Sequence, residues 1–401
     1  MDILEGIRVV DLTMWAFVPS AGGVLAHWGA DVIKVEGPHS PDPVRFLKGT
    51  EMPDGETWMY RHYGRGKRAI AIDLKADRGR ELLYRLVRDA DVFLTSYLPR
   101  TRKSLGFDVA DIQALNPNII YARGSGQGPK GPDAQRSGYD GITWWGRGTL
   151  ASSAMGVAGI DFPPGMVGHG DGISGMTLAG GICAALLKRE RTGKGSVVDG
   201  SLLGTAIWFN GPSIISSGLG SDFMAAGARA RHDQRHPTTN TYRSGDGRFV
   251  LLSFLGDHQD EWVDFCEHIG RPELASDPRF ATSAARNENV AAGVAILDEV
   301  FSQHTLEEWR NTLATAKGAW SSVQTPAEVF DDPQTVANGF LRPVEYPGGT
   351  LRLPVPPILF DEEAGDPPPA PSFGQHTDDI LAEMGLSAAE VEELRSSGVV
   401  A

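Results

Sequence analysis

Asp171 stands in Gly168-His169-Gly170-Asp171-Gly172, directly before a helical pattern that runs from Gly172 to Arg191 and stops at Gly193. Asp is a favoured helix N-cap and Gly a favoured C-terminal stop, so the plain reading of this carboxylate is a cap. The position also suits chemistry. The positive end of a helix keeps a carboxylate ionised, the state a nucleophilic carboxylate needs. Flanking glycines remove the Cβ atoms that would block a bulky substrate and leave backbone N–H groups free for a developing oxyanion. The residues alone leave both readings open.

Other chemistries find less support. G-x-G-x-x-G occurs twice, at Gly126–Gly131 and Gly170–Gly175, but the first contains Pro129 and the second follows Pro163-Pro164-Gly165 rather than an apolar strand. The first strand-to-helix turn, Thr13 to Phe17, has no glycine, so pyrophosphate could not approach a helix end there, although Glu36 stands where a ribose-binding acid would sit. No G-x-S-x-G elbow occurs, and the ten His and two Cys fall at no metal-ligand spacing, so no metal site is expected. Cys183 and Cys266 read as buried filler.

The elements that must position Asp171 begin with a βαβ unit: strand Ile7 to Leu12, helix Pro19 to Trp28, strand Asp31 to Val35. Strands at Ala69 to Leu74, Asp91 to Thr95 and Asn118 to Ala122 follow, with an amphipathic helix from Arg78 to Asp89. Such alternation implies a parallel sheet covered on both faces. Helical sequence at Ile142 to Leu150 precedes the Asp171 helix, and Ser196 to Val198 reads as a further strand. Beyond a Gly-, Arg- and Pro-rich stretch, Gly245-Asp246-Gly247 marks a hairpin between Thr239–Arg243 and Arg248–Ser253. Helical patterns at Asp257 to Ile269, Val290 to Phe301 and Leu306 to Ala316 complete a smaller α+β region. Leu353 to Ser372, with seven prolines, should cross a surface in extended form, and two short helices close the chain.

The 401 residues allow two or three domains and carry a net charge of −14, which argues against nucleic acid as the main partner. Charge is uneven. Arg61 to Leu105 holds twelve basic and five acidic residues, whereas Pro356 to the end holds ten acids and one Arg. A cationic island in an acidic chain suggests a compact polyanionic ligand. Arg78, Arg80, Arg85 and Arg88 read as a wet helix face, leaving Lys67, Arg68, Lys75, Arg102 and Lys103 as better candidates. With no leader-like segment and the longest apolar stretch, Gly175 to Leu187, too short to span a bilayer, the chain reads as soluble, cytoplasmic and free of the membrane.

From end to end the sequence resembles the family III CoA-transferases, the formyl-CoA and carnitine CoA-transferase group, to which the α-methylacyl-CoA racemases are related. The resemblance is carried by Leu4–Thr13, Gly29–Glu36, Lys67–Lys75, Arg191–Gly195 and Gly374–Asp378, in that order. It implies an α/β fold: a large Rossmann-like domain (1–217), a linker (218–238), a small α+β domain (239–345) and a returning linker and helical tail (346–401), in an interlocked homodimer. It implies that Asp171 is the nucleophile and that coenzyme A or acyl-CoA is substrate, with a carboxylic acid acceptor and no permanently bound cofactor. The CoA contacts implied are Trp15, Ala16, Ile72, Asp73, Leu74, Lys75, Ser96, Tyr97, Leu98, Lys103, Arg136, Ser137, Gly138, Tyr139 and Asp140. Gly37 and Ser104 stand where relatives often place phosphate-binding arginines, with Lys103, Arg102 or Arg45 as substitutes. Gly218 to Gly227 is the nearest candidate for a glycine lid, and Trp144 and Trp145 are candidates for shaping an acyl pocket. The racemase branch carries Gly-His-Asp where this chain has Gly138-Tyr139-Asp140. A phenol is a poorer base than imidazole at neutral pH, which favours transfer, with His169 the one residue able to restore a second base. A CoA-binding protein without turnover is the third reading.

Overall fold

The computed structural model describes residues 1–401 except 159–164, 166–167, 222–230, 232–235 and 255–258, with residues 156–158 described by backbone only. Much of the 218–238 linker, and with it the Gly218 to Gly227 lid candidate, therefore lies outside the described residues. Contacts divide the chain into a large unit, Met1–Met155, Ile160–Ile215 and Pro333–Ala401, and a smaller one, Gly156–Gly159 and Ser216–Asp332. The returning segment thus begins at Pro333, against 346 in the sequence-based division. The reason is a hairpin, Leu341–Tyr346 paired antiparallel with Gly349–Pro354 across Pro347-Gly348, that groups with the large unit.

The large unit is built on six strands: β1 (Arg8–Leu12), β2 (Asp31–Glu36), β3 (Arg68–Ala71), β4 (Val92–Thr95), β5 (Ile120–Ser125) and β6 (Ser196–Ser201). All pair in parallel, in the order β3-β2-β1-β4-β5-β6. Consecutive residues point to opposite faces of a strand, so an apolar run feeds two cores. Val9 joins Leu25, Val32, Ile120 and Ile182 on one face, while Val10 joins Ile33, Leu83, Phe93 and Ile112 on the other. Each fully buried aliphatic side chain contributes roughly 1.5–3 kcal/mol. The first face is covered by α1 (Phe17–His27) and by a 24-residue helix, His169–Thr192. That helix is long and apolar enough by composition to cross a membrane, but Leu178, Ala179, Ile182 and Leu186 are buried in this core. Helices Asp77–Arg88 and Val109–Leu115 cover the second face with the C-terminal helices Thr377–Glu383 and Ala388–Ser396.

Strand order reverses between β1 and β4, and parallel sheets place ligand crevices where loops diverge at such a point. Here those loops are Thr13–Ala16 and Ser96–Leu98.

The C-terminal tail explains where the cationic island goes. Arg68 bonds Asp31 (2.8 Å) and Glu383 (2.6 Å), Arg78 bonds Glu393 (2.6 Å), and Arg85 donates to the Met384 carbonyl. Lys67 is fully buried against Asp11 at 2.7 Å, and Arg61 pairs with Asp54 and lies 3.9 Å from the Tyr346 ring centre. Arg65 donates to Pro354 O. Most of the island is therefore matched inside the large unit, so Lys67, Arg68 and Arg102, the better candidates for a polyanionic ligand by sequence, are already paired with carboxylates. The proline-rich segment is held by its carbonyls: His27 Nε2 donates to Ala364 O (2.7 Å), Gly66 N to Pro369 O (3.1 Å) and Arg45 Nη1 to Pro371 O (3.3 Å).

In the smaller unit, Thr239–Arg243 pairs antiparallel with Phe249–Ser253, and Trp320–Ser322 adds a third strand. Helices Gln259–His268, Val290–Phe301 and Leu306–Leu313 enclose Tyr242, Phe265, Phe301 and Trp309, and the Trp309 indole donates to Phe301 O at 2.9 Å.

Candidate active site

Above the strand reversal lies a cavity of about 550 Å3 in the large unit. Three stretches meet there: the loop after β1, the loop after β4, and residues 137–141 leading into a π-helical segment, Asp140–Arg147. The third stretch reaches the site because Gly126 and Gly138 cross in contact. A Cβ on Gly126 would fall 2.4 Å from Gly138 Cα, so neither position accepts a side chain without the strands parting.

Asp171 lines this cavity but does not cap its helix, which corrects the sequence reading. The helix begins two residues earlier, at His169, and its N-cap is Gly168 at φ 83°, with Asp171 in the first turn. The capping acceptor comes from elsewhere in the chain: Gly170 N donates to Asp140 Oδ1 at 3.0 Å. A side chain at 170 would collide with that oxygen (2.4 Å) and with Trp144 Cγ (2.3 Å), which accounts for the glycine. Of the two flanking N–H groups expected to be free for an oxyanion, Gly170 N is thus directed at Asp140, and Gly172 N donates to Gly168 O at 3.0 Å.

The electrostatics follow from this arrangement. Burial pushes the Asp171 carboxyl up, and the neighbouring Asp140 charge adds to it, bringing Asp171 up to about 7. The helix end therefore does not hold Asp171 far below neutrality. Asp140 is itself raised by burial, with the backbone N–H groups opposing the rise. Its second oxygen, Oδ2, is buried and has no hydrogen-bond partner among the described residues. The Asp140 charge beside it leaves Asp171 as the member of the pair that titrates near neutrality. Tyr63, absent from the sequence expectations, stands beside this pair: its hydroxyl lies 2.8 Å from where a Gly168 Cβ would be, and burial followed by the Asp171 and Asp140 charges raises its pKa.

Of the sequence-derived contacts, the structure gathers Trp15, Ala16, Ser96, Tyr97 and Leu98 with Ser137, Gly138, Tyr139, Asp140 and Asp171 around the cavity. Lys103 lines an adjoining polar cavity of about 200 Å3 that shares Tyr97 and Leu98 with the first. Arg136 is exposed and bonds Asp133 at 3.1 Å. Ile72 and Leu74 are core residues, so their side chains offer a ligand no surface; in that stretch Lys75 is exposed and Asp73 half-buried. Two proposed phosphate cations are committed inside the fold. Arg45 bonds Glu36 at 2.8 Å and stacks on Tyr60, while Arg102 bonds Asp108 at 3.0 Å and the Tyr97 carbonyl at 2.7 Å. Trp144 is buried beneath Gly170 and Trp145 packs against Gly165, and neither lines the cavity. Residues missed by sequence reasoning include Met14, Val44, Leu47 and Met59, apolar side chains on loops and on two short helical segments, Pro43–Phe46 and Trp58–Gly64, too short to give a periodic signal. Among the described residues no cluster of His, Cys, Asp or Glu could hold a metal ion.

A six-stranded parallel sheet in the order β3-β2-β1-β4-β5-β6, with a carboxylate on the wall of a cavity at its switch point, defines an α/β protein with a ligand site there. The chain belongs to CoA-transferase family III, whose family model matches residues 4–377. It is 31% identical over 99% of both chains to the (R)-2-hydroxy-4-methylpentanoate CoA-transferase of Clostridioides difficile. It is 30% identical to the cinnamoyl-CoA:phenyllactate CoA-transferase of Clostridium sporogenes, over 98% of this chain and 96% of that one. The crystal structure of a CAIB/BAIF family protein from Brucella suis superposes with a TM-score of 0.78 at 30% identity, covering 95% of this chain and 99% of that one. The protein is accordingly a CoA-transferase acting on CoA thioesters.

Proposed function

We propose that the enzyme moves CoA from an acyl-CoA donor to a carboxylic acid acceptor through covalent intermediates on Asp171. The observation that carries the reading is the ionisable Asp171 carboxyl on the cavity wall, brought up to about 7 by burial and Asp140. The Asp171 carboxylate attacks the thioester carbonyl; the C–S bond breaks, giving a mixed anhydride and CoA thiolate. The thiolate attacks the aspartyl carbonyl, expelling the first carboxylate and leaving CoA as a thioester on Asp171. The acceptor carboxylate displaces that thiolate to form a second anhydride. Attack of the thiolate on the acceptor's carbonyl yields the new acyl-CoA and restores Asp171. No proton is gained or lost overall. The apolar walls exclude the water that would hydrolyse an anhydride. The test is the intact mass of enzyme held with acyl-CoA and no acceptor, in which the CoA adduct on Asp171 is the expected species.

The proposal includes a homodimer. Supporting it are Ile142, Ile207, Trp208 and Phe209, large apolar side chains exposed on the large unit, with Trp208 86% exposed. Monomers seldom leave such a group in water. Sedimentation equilibrium should return twice the 43.1 kDa chain mass; a single chain mass across the micromolar range would contradict it.

A further inference from the structure

The cavity's walls discriminate among carboxylic acids. Trp15, Val44, Leu47, Met59, Leu98 and Tyr139 make them largely apolar. The ionisable groups on them, among the described residues, are the Asp140 and Asp171 carboxyls and the Tyr97 and Tyr139 phenols; no Lys, Arg or His lines the cavity. A substrate bearing a second carboxylate would lose its hydration, meet no counter-charge, and face like charges at both aspartates.

The aromatic part of the wall is held in place by a buried ion pair. Trp15 has φ 71°, a left-handed backbone that a bulky residue rarely adopts. Its N–H donates to Asp42 Oδ1 at 3.0 Å, and Asp42 Oδ2 accepts from Lys34 Nζ at 2.9 Å. These two side chains are 2% and 1% exposed. Lys34 Nζ also donates to Thr13 O at 3.0 Å, and Met14 N to Ser96 Oγ at 2.9 Å, so the two residues before Trp15 are fastened as well. The Trp15 ring meets Tyr139 edge to face at 5.8 Å, and the rings keep 38% and 52% exposure. Two oriented aromatic rings with open faces, held against backbone strain, form a surface on which a branched or aryl acyl body can lie.

We infer that this site takes acids with a single carboxylate and an apolar, branched or aryl body, and discriminates against dicarboxylic acids, with Trp15 and Tyr139 contacting the body. The inference rests on the transfer reaction above. The experiment compares isovaleryl-CoA and cinnamoyl-CoA with succinyl-CoA and glutaryl-CoA as donors to labelled acetate, using the full-length enzyme. The expected kcat/KM is about 100-fold higher for the first two. Leu47→Arg, which adds a cation to the wall, should narrow that ratio by about tenfold, and Trp15→Ala should lower kcat/KM for the aryl donor by about tenfold, mainly through KM. Equal or better use of the dicarboxylic thioesters, with transfer running, would overturn the inference and leave the transfer reaction standing. Transfer from none of the four would overturn the reaction and the inference with it.

Discussion

Replacing Asp171 by Ala or Asn should abolish CoA transfer while leaving the fold intact, with kcat lower by about 1,000-fold or more. Nothing else on the cavity wall among the described residues offers a carboxylate free of a backbone donor. Asp140 is engaged by the Gly170 N–H, and the remaining polar groups are hydroxyls and phenols. The Asn variant has a second consequence. Asp171 titrates near 7 in the fold against an ordinary 3.8, so between those values the folded state binds more protons than the unfolded chain. Stability therefore falls as pH rises through that window, and the full penalty persists above about 7. A neutral Asn carries no such penalty. Asp171→Asn should melt at a higher temperature than the parent at about pH 8, with the gap closing towards about pH 4. Scanning calorimetry at both pH values checks this; equal melting at the higher pH would show that the carboxylate is not held against burial.

The second large effect concerns Asp140→Asn, read in the pH profile. In the parent, kcat/KM should fall as pH drops through about 7, because protonation removes the Asp171 nucleophile. Asn keeps an oxygen for the Gly170 N–H but removes the negative charge. The acidic limb should then move to lower pH, stopping short of the ordinary carboxylate range because the burial remains. Asp140→Ala also removes the acceptor that caps the Asp171 helix, and should cost about 1–2 kcal/mol on unfolding in urea. An unmoved limb in Asp140→Asn would refute the electrostatic link between the two carboxyls.

The parts of this site that were legible in the sequence are those carried by short-range pattern. The helix Val290–Phe301 and the strand Thr239–Arg243 fall where periodicity and turn chemistry place them. The Asp171 helix was visible, but its cap was not, because the capping oxygen comes from Asp140, thirty positions upstream. The cationic island misled for the same reason: Arg68 and Arg78 find Glu383 and Glu393, each 315 positions away, so local charge counts did not report surface charge. Arg102 looked available for phosphate because nothing in its neighbourhood announces that its guanidinium will bind the Tyr97 carbonyl. The left-handed Trp15 was also hidden, since a bulky aromatic is among the last residues to be placed at positive φ. It is sustained by Asp42, paired with Lys34; the Asp42 carboxylate reaches the Trp15 N–H because β2 lies beside β1. Three-dimensional pairing, rather than local preference, sets the chemistry of the cavity.

The measurement that bears most directly on the covalent relay is intact-mass and peptide mass spectrometry of the enzyme incubated with isovaleryl-CoA in the absence of acceptor. A CoA thioester on the peptide containing Asp171, discharged when a carboxylic acid is added and absent from Asp171→Asn, is the predicted result. An unmodified enzyme that still exchanges CoA between acids, or an adduct on any other residue, would contradict it.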